Sequence, residues 1–279
     1  MELTFTTHQA VTSDGVTLVY KTAGDGPLNL ILMGGWGCTR DYYDETLAHM
    51  SIKGLRVAVF DLRGHGDSTE SPDSYSSARQ AADVLAVADA AGMDGFVACG
   101  QSMGAKYVQY LPVLAPTRVL GLVLINGCPA GRIDVPWEQI EETSGYAGDR
   151  HAMRATHNAM ITRTVKHELS EMWIDNAAKI SRQVLRETLK HCFYDDFEDK
   201  VRAAAPFRAL IVSALHDKFF PVDMMQERVT GIIPGAREVY LDCGHEIPFE
   251  RPAELAIAME SFLAACDPMI NAPTTLFAN

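Results

Sequence analysis

Residues 97–105 read Val97-Ala98-Cys99-Gly100-Gln101-Ser102-Met103-Gly104-Ala105 in a chain of 279 residues. A short apolar run leads into this segment and helical sequence follows it, so its Gly-x-Ser-x-Gly motif lies at a predicted strand-to-helix turn. Such a sharp turn leaves no room for side chains beside the serine, which accounts for glycines two residues before and after it. The following helix N-terminus directs amides at developing negative charge. The pattern predicts that Ser102 stands exposed above a sheet as a nucleophile.

Short apolar runs recur on both sides of this segment and predict further strands buried on both faces. The first two strands alternate polar and apolar residues around the turn Ser13-Asp14-Gly15, which indicates an antiparallel hairpin. Stretches of helical character separate most of the later strands, as in a parallel sheet, so the predicted fold class is α/β. The predicted strands are Leu3–His8, Val16–Thr22, Asn29–Met33, Val57–Asp61, Phe96–Gly100, Val119–Asn126, Leu210–Leu215 and Val239–Leu241. The clearest predicted helices are Ala78–Ala91, Ala105–Leu114, Asp223–Ile233 and Pro252–Ala265.

One interval is too long for a crossover helix. About 80 residues separate the strand that ends near Asn126 from the one that begins near Leu210, whereas connections in compact domains are usually far shorter. Much of this interval has helical character, and it predicts a helical cap over the sheet, with ordinary packing helices as the alternative. The expected division is a first core part at 1–128, a cap at 129–200, a second core part at 201–266 and a loosely ordered tail at 267–279.

Composition excludes several classes of protein. The net charge of −12 and scattered Lys and Arg residues offer no basic patch for nucleic acid or an anionic membrane surface. No apolar run approaches a membrane span, and the N-terminus lacks a signal-peptide core, so we expect a cytoplasmic protein without membrane partners. We expect no cofactor and no metal, because the cap histidines show no ligand spacing and the cysteines form no CxxC pair. The six cysteines, expected to be reduced, are Cys38, Cys99, Cys128, Cys192, Cys243 and Cys266.

A serine hydroxyl becomes a good nucleophile when a histidine takes its proton and a carboxylate orients that histidine. The chain supplies both in the order Ser, Asp, His. Asp217 follows the carboxyl end of a predicted strand, where sites in open α/β sheets form. His245 lies in a Gly-His loop between the last predicted strand and the C-terminal helix. We therefore predict Ser102 as nucleophile, Asp217 as orienting acid and His245 as general base.

Several motifs agree in order and spacing with those of one family. Asp61-Leu62-Arg63-Gly64-His65-Gly66-Asp67-Ser68 follows an early strand, Asp217 is followed by Pro221, and Gly244-His245 is followed by Pro248. With the Ser102 motif, they make residues 15 to 265 resemble the α/β-hydrolase superfamily. That resemblance implies a mostly parallel eight-stranded sheet with helices on both faces and a helical cap insertion.

The resemblance also implies an oxyanion hole. The family uses the amide after the nucleophile, here Met103, and one from the loop after an early strand, which usually reads His-Gly-x. Here the loop reads Met33-Gly34-Gly35-Trp36-Gly37. By position Gly35 supplies the second amide, and Met33 replaces the usual histidine. Trp36, Trp137 and Trp173 are the candidate substrate-binding residues, with packing under the cap as the alternative for Trp36.

Four other residues are read as structural. Asp242 is expected to end a strand or to pair on the surface. Asp223 is expected near the start of a helix, where a carboxylate favours the helix dipole. His216 beside Asp217 is not expected to act as a second base. His65 is expected to pack within its glycine-rich loop.

The leading functional prediction is a serine hydrolase that cleaves an ester, lactone or thioester of a small to medium hydrophobic molecule through an acyl-enzyme. Carbon-carbon bond hydrolysis, a perhydrolase side activity, acyl transfer and a slow ligand-binding receptor are the alternatives. Ser102 argues against epoxide hydrolases and haloalkane dehalogenases, which resemble this pattern but carry an aspartate as nucleophile. Met33 argues against cofactor-independent dioxygenases, which place a histidine there. The expected partner is a small-molecule substrate, and the sequence leaves open a monomer or a homo-oligomer.

Overall fold

A single eight-stranded sheet forms the centre of the molecule. The computed structural model describes residues 3–71 and 74–266, so the expected tail at 267–279 lies outside the described residues. The strands are β1 Thr6–Val11, β2 Thr17–Ala23, β3 Leu28–Met33, β4 Leu55–Phe60, β5 Phe96–Gln101, β6 Val119–Ile125, β7 Ala209–Ala214 and β8 Arg237–Leu241. The strand order is β1-β2-β4-β3-β5-β6-β7-β8, with the β1–β2 and β2–β4 pairs antiparallel and the others parallel. This confirms the predicted mostly parallel sheet and its N-terminal hairpin.

The central strands are buried on both faces, as their continuous apolar sequences predict. Every residue of β5 and of β7 is buried. The register pairs Gln101 at the end of β5 with Ile125 at the end of β6, and Ile125 in turn with Val212 of β7. The carboxyl ends of β5, β6 and β7 therefore lie side by side. Residues that follow these three strands are brought together at one edge.

Helices cover both faces of the sheet and enclose two apolar clusters. One cluster includes Leu47, Leu255 and Met259, and the other includes Val84 and Tyr107. These side chains belong to helices on opposite faces, which completes a three-layered core. The helices of the core are α1 Asp44–Ala48, α2 Ser77–Ala90, α3 Met103–Val108, α4 Leu111–Leu114, α10 Val222–Arg228, α11 Ile247–Glu250 and α12 Pro252–Cys266.

Five helices fill the long interval between β6 and β7. They are α5 Trp137–Ser144, α6 Arg150–Met160, α7 His167–Lys179, α8 Arg182–Tyr194 and α9 Glu198–Ala204. Within this insertion α5 packs against α8, and α6 packs against α7. The expected cap boundary at residue 200 falls inside α9.

Two predicted helices are shorter than expected. The segment Ala105–Leu114 divides into α3 and α4, because Pro112 near the start of α4 has no N–H to bond to the preceding turn. The segment Asp223–Ile233 divides into α10 and a 3₁₀ turn at Thr230–Ile232.

Among the described residues, no helix is both long and apolar enough to cross a membrane.

Candidate active site

Ser102 occupies a strained turn between β5 and α3. Its backbone has φ 55° and ψ −121°, a region that non-glycine residues rarely adopt and that costs about 1–3 kcal/mol. The turn is crowded, since a Cβ added to Gly100 would lie 2.4 Å from the backbone carbon of Gly104. Hydrogen bonds hold it in place: the Ser102 amide donates to Ile125 O (2.9 Å), and its carbonyl accepts from the Cys128 amide (3.0 Å). The packing of this turn thus accounts for the motif glycines.

His245 and Asp217 form a buried pair beside this turn. Nδ1 of His245 lies 2.7 Å from Oδ2 of Asp217. The second carboxylate oxygen, Oδ1, accepts the amides of Phe219 (2.8 Å) and Phe220 (3.2 Å). Because both oxygens of Asp217 have partners, the carboxylate is fixed in orientation, and it fixes the imidazole in turn.

The environment of His245 favours its protonated form. Burial lowers the pKa of the imidazole, but the charges of Asp217, Glu246 and Glu250 and the hydrogen bond to Asp217 outweigh burial, so the pKa is raised. A histidine with a raised pKa holds a proton more readily once it has taken one. Such an imidazole is suited to general base chemistry.

Two polar side chains to which the sequence assigned no role position the His245 backbone. Nδ2 of Asn126 donates to the His245 carbonyl at 3.0 Å, and Nε2 of Gln101 donates to the same oxygen at 3.3 Å. Asn126 has φ 40° and also accepts the Ala214 amide at 2.7 Å. It therefore links the ends of β6 and β7 to the histidine loop. The sequence analysis did not predict this role of Asn126. The signal that could have indicated it is a polar residue directly after a buried strand.

Ser102 and His245 line one cavity of about 290 Å³ between the sheet and the insertion. Eleven of its nineteen lining residues come from the range 129–200, which is the expected cap. Within the described residues, Ser102 Oγ has no hydrogen-bond partner. Hydrogen bonds between catalytic groups are often long before substrate binds. The structure thus brings the three predicted residues to one site.

The loop after β3 lies against Ser102. A Cβ added to Gly35 would lie 2.8 Å from the Ser102 Cβ, so only glycine fits there. Met103 follows the serine and lines the cavity, as does Trp36. Within the described residues, no acceptor takes the amides of Gly35, Trp36 or Met103. Met33 is buried, and its carbonyl accepts from Tyr43 Oη at 3.1 Å, a contact that fixes the loop without a histidine.

The three candidate tryptophans occupy different environments. Trp36 lines the cavity and makes an edge contact with Trp173, with ring centroids 5.8 Å apart. Trp173 is not among the lining residues, because it is buried against Gly37 and stacks on His157 at 5.2 Å. Trp137 is 40% exposed at the start of α5 and is also absent from the lining. The structure therefore places Trp173 and Trp137 outside the cavity, in departure from the predicted set.

The remaining titratable candidates lie apart from the site. Asp242 is exposed and pairs with His216 (2.7 Å) and Arg163. His65 is buried in its loop, and burial lowers its pKa to about 4. Asp223 lies in the first turn of α10. In the part of the chain that the structure describes, no group of three or more His, Cys, Asp or Glu side chains could hold a metal ion.

Comparisons with known proteins identify the family of the chain. A profile of the alpha/beta hydrolase family matches residues 30–258. A bifunctional esterase/perhydrolase of Acinetobacter calcoaceticus is 36% identical over 121 residues. The matched segment covers 42% of this chain and 44% of that protein, so the chain spans under half of that relative's length. A non-heme haloperoxidase of Rhodococcus erythropolis is 26% identical over 84% of this chain and 90% of its own. The solved structure of an esterase from Exiguobacterium antarcticum superimposes with a TM-score of 0.83 at 14% identity, covering 92% of this chain and 98% of its own. The chain therefore belongs to the alpha/beta hydrolase family.

Proposed function

We propose that the protein is a serine hydrolase that cleaves a carboxylic ester, lactone or thioester through Ser102, His245 and Asp217. The observation that supports this most directly is the buried His245–Asp217 pair at 2.7 Å, because its histidine lines one cavity together with a serine in a strained turn. Strained backbone of this kind is concentrated at functional sites.

In the proposed mechanism, Ser102 Oγ attacks the substrate carbonyl while Nε2 of His245 takes the hydroxyl proton. Asp217 holds Nδ1–H and stabilises the imidazolium that forms. Collapse of the tetrahedral intermediate breaks the bond to the leaving group, which receives the proton from His245. Water then attacks the acyl-enzyme with His245 again as base, and the acid product leaves with Ser102 restored.

The amides of Met103 and of the Gly35–Trp36 loop are the proposed oxyanion donors. Met103 follows Ser102 directly, and a Cβ on Gly35 would lie 2.8 Å from the Ser102 Cβ. These amides have no acceptor among the described residues, which leaves their N–H groups free for an oxyanion. Loss of one such donor typically costs about 3 kcal/mol of transition-state stabilisation. A backbone donor cannot be removed by substitution, but Gly35→Ala would push the loop from Ser102.

The cavity favours a small to medium hydrophobic substrate. Its volume of about 290 Å³ lies at the lower end of the usual range for ligand pockets, about 300–1,000 Å³. Apolar side chains from the cap form much of its wall, including Ile140, Met160, Leu189 and Phe193. A polymer would not fit this enclosure.

The test is the intact mass of the protein after exposure to a fluorophosphonate, which labels an activated serine without a guess about substrate. Wild-type protein is expected to gain one adduct, whereas Ser102→Ala and His245→Ala gain none. Ser51→Ala, which changes an exposed serine, is the matched control and keeps the adduct.

We expect Ser102→Ala to lower kcat for p-nitrophenyl butyrate by about 10⁶. A folded Ser102→Ala variant that retains turnover would refute the assignment.

A perhydrolase side reaction is the second proposal, because the Acinetobacter relative carries both names. Hydrogen peroxide would replace water in the attack on the acyl-enzyme and give a peracid with Ser102 restored. Peracid formation from a methyl ester and peroxide, absent in Ser102→Ala, would support it. Hydrolysis of a vinylogous diketone or tight ligand binding without turnover would instead favour the carbon-carbon hydrolase or the receptor.

A further inference from the structure

Glu246 is a buried carboxylic acid in the cavity wall that the proposed mechanism does not use. It follows His245 directly, and only 1% of its surface is exposed. Glu246 lines the same cavity as Ser102 and His245. Buried carboxyl groups are rare unless they are paired, so this one requires an explanation.

Only one of its two carboxyl oxygens has a hydrogen-bond partner. The buried Tyr42 donates from Oη to Oε2 at 2.5 Å and so fixes the direction of the group. Across residues 3–71 and 74–266, no donor reaches Oε1, and neither Lys nor Arg forms an ion pair with Glu246. Most buried polar atoms in proteins are hydrogen-bonded. Oε1 is therefore an acceptor that the protein leaves available at the cavity.

The electrostatic setting limits what can bind there. Burial raises the pKa of Glu246, the charges of Glu250 and Asp217 add to this, and His245 and the bond from Tyr42 oppose it. A negatively charged ligand group would be repelled by these acids. A neutral hydroxyl or N–H would satisfy Oε1 without bringing a further charge into the site.

We propose that Oε1 of Glu246 accepts a hydrogen bond from a hydroxyl or N–H of the substrate and selects acyl compounds that carry such a donor close to the reacting carbonyl. Closeness follows because Glu246, His245 and Ser102 line one cavity of about 290 Å³. The selection of acyl compounds for reaction rests on the proposed function. The hydrogen bond between Oε1 and a bound donor does not. Sites that hydrogen-bond a substrate group discriminate strongly against analogues without it.

The experiment measures binding in the Ser102→Ala background by calorimetry, so that it does not depend on turnover. Methyl pyrrole-2-carboxylate and methyl furan-2-carboxylate form a matched pair, since a ring N–H in the first is a ring oxygen in the second. Methyl mandelate and methyl phenylacetate test a hydroxyl in the same way. We expect the donor-bearing ester of each pair to bind about tenfold more tightly or better.

Two substitutions at Glu246 give distinct results. Glu246→Leu removes the acceptor, so both preferences fall to near unity. Glu246→Gln can keep the bond from Tyr42 through its oxygen and turn its NH₂ towards the cavity, so the pyrrole preference inverts in favour of furan. Thr143→Val, which alters another polar lining residue, is the matched control and keeps both ratios.

Equal binding of both esters, absence of binding to the limit of solubility, or a pyrrole-to-furan ratio unchanged by Glu246→Gln would each overturn the proposal. Failure of the proposed function is a separate result. It would appear as unlabelled Ser102 in fluorophosphonate-treated wild-type protein, whatever the binding ratios are.

Discussion

Asp217 uses both of its carboxylate oxygens, one for the amides after β7 and one for the imidazole. Asparagine cannot accept at both positions, because its NH₂ group must face one of these donors. We expect Asp217→Asn to leave the chain folded and to lower kcat for p-nitrophenyl butyrate by about 10⁴ through loss of the correct histidine tautomer. Steady-state kinetics and a melting curve measure the two effects.

Asp242→Asn is the matched control, since Asp242 precedes His245 by three residues but pairs with His216 and Arg163 at the surface. It should keep the wild-type kcat. If Asp242→Asn lost activity and Asp217→Asn did not, the orienting acid would be Asp242.

The raised pKa of His245 predicts the pH dependence of the reaction. The imidazole must be neutral to take a proton from Ser102, so kcat/KM rises as pH passes upward through the pKa of His245 in the free enzyme. Because neighbouring carboxylates raise this pKa, the midpoint should lie above the ordinary histidine value of about 6.5. Burial lowers the pKa of His245, and Asp217 is the main group that raises it. Asp217→Asn removes that charge, so the residual activity of this variant should have its midpoint at lower pH.

A pH–rate profile of kcat/KM for both proteins checks this expectation. A midpoint that does not move in Asp217→Asn would mean that the titrating group is not His245.

Residues within motifs could be predicted from sequence, and residues whose roles depend on contacts across the fold could not. Ser102, Asp217 and His245 stand at predicted strand ends with glycine or proline at fixed offsets. Asn126 reaches His245 over 119 positions of sequence separation, and Glu246 meets Tyr42 over 204. No local pattern reports such pairs.

At the scale of elements, the crossing of β5 and α3 depends on two glycines. A Cβ on Gly100 would lie 2.4 Å from the Gly104 backbone, which cannot move as a flexible side chain can. We expect Gly100→Ala to lower the free energy of unfolding by about 1–3 kcal/mol, as overpacking does, and to reduce fluorophosphonate labelling by displacing Ser102. Urea denaturation and the labelling rate measure these effects.

Gly95→Ala is its control, because a Cβ there would make ordinary contacts of 3.6 Å or more with the Leu120 side chain. A Gly100→Ala variant as stable and as reactive as Gly95→Ala would show that the turn can relax without displacing Ser102.

Elements with strong periodicity were predictable, and their ends were less so. Central strands such as β5 and β7 appear as continuous apolar runs because both faces are covered. The edge strand β8 begins with Arg237 and Glu238, which are exposed, so the apolar run marks only its last three residues. The expected first strand Leu3–His8 is instead Thr6–Val11, since pairing with β2 rather than local propensity sets its register.

At the scale of the whole molecule, the helical insertion at 129–200, called the cap below, is joined to the core by polar contacts as well as by apolar packing. The carboxylate of Glu250 in the core accepts the amides of Thr162 (2.8 Å) and Arg163 (2.7 Å) from the cap and also that of Gly244 (3.0 Å). The His245 amide donates to the cap carbonyl of Met160 at 2.7 Å. The cap therefore contacts the loop that carries the proposed base, and the docking of the cap and the shape of the cavity are set together. A sequence alone does not give such a docking angle.

Lys106 on α3 is the most deeply buried of these connections. Its ammonium is inaccessible to solvent and donates to the cap carbonyls of Gly131 (3.3 Å), Cys192 (2.8 Å) and Asp195 (2.7 Å). Lys106→Met keeps most of the volume but leaves these carbonyls without their donor, and a hydrogen bond to a charged group is worth about 1.5–3 kcal/mol. Removal of a buried charge offsets part of that loss, so we expect the free energy of unfolding to fall by roughly 2–4 kcal/mol.

Urea denaturation measures this change, and limited proteolysis of the native protein should cut Lys106→Met first within 129–200, where the cap loosens. Lys200→Met is the matched control, because Lys200 is exposed and its ammonium donates to Tyr110 Oη at 3.0 Å. Substitutions at such surface positions usually change stability by less than about 0.5 kcal/mol. If both variants were equally stable, the desolvation cost of the buried ammonium would cancel its hydrogen bonds, and the cap would be held by Glu250 and apolar packing instead.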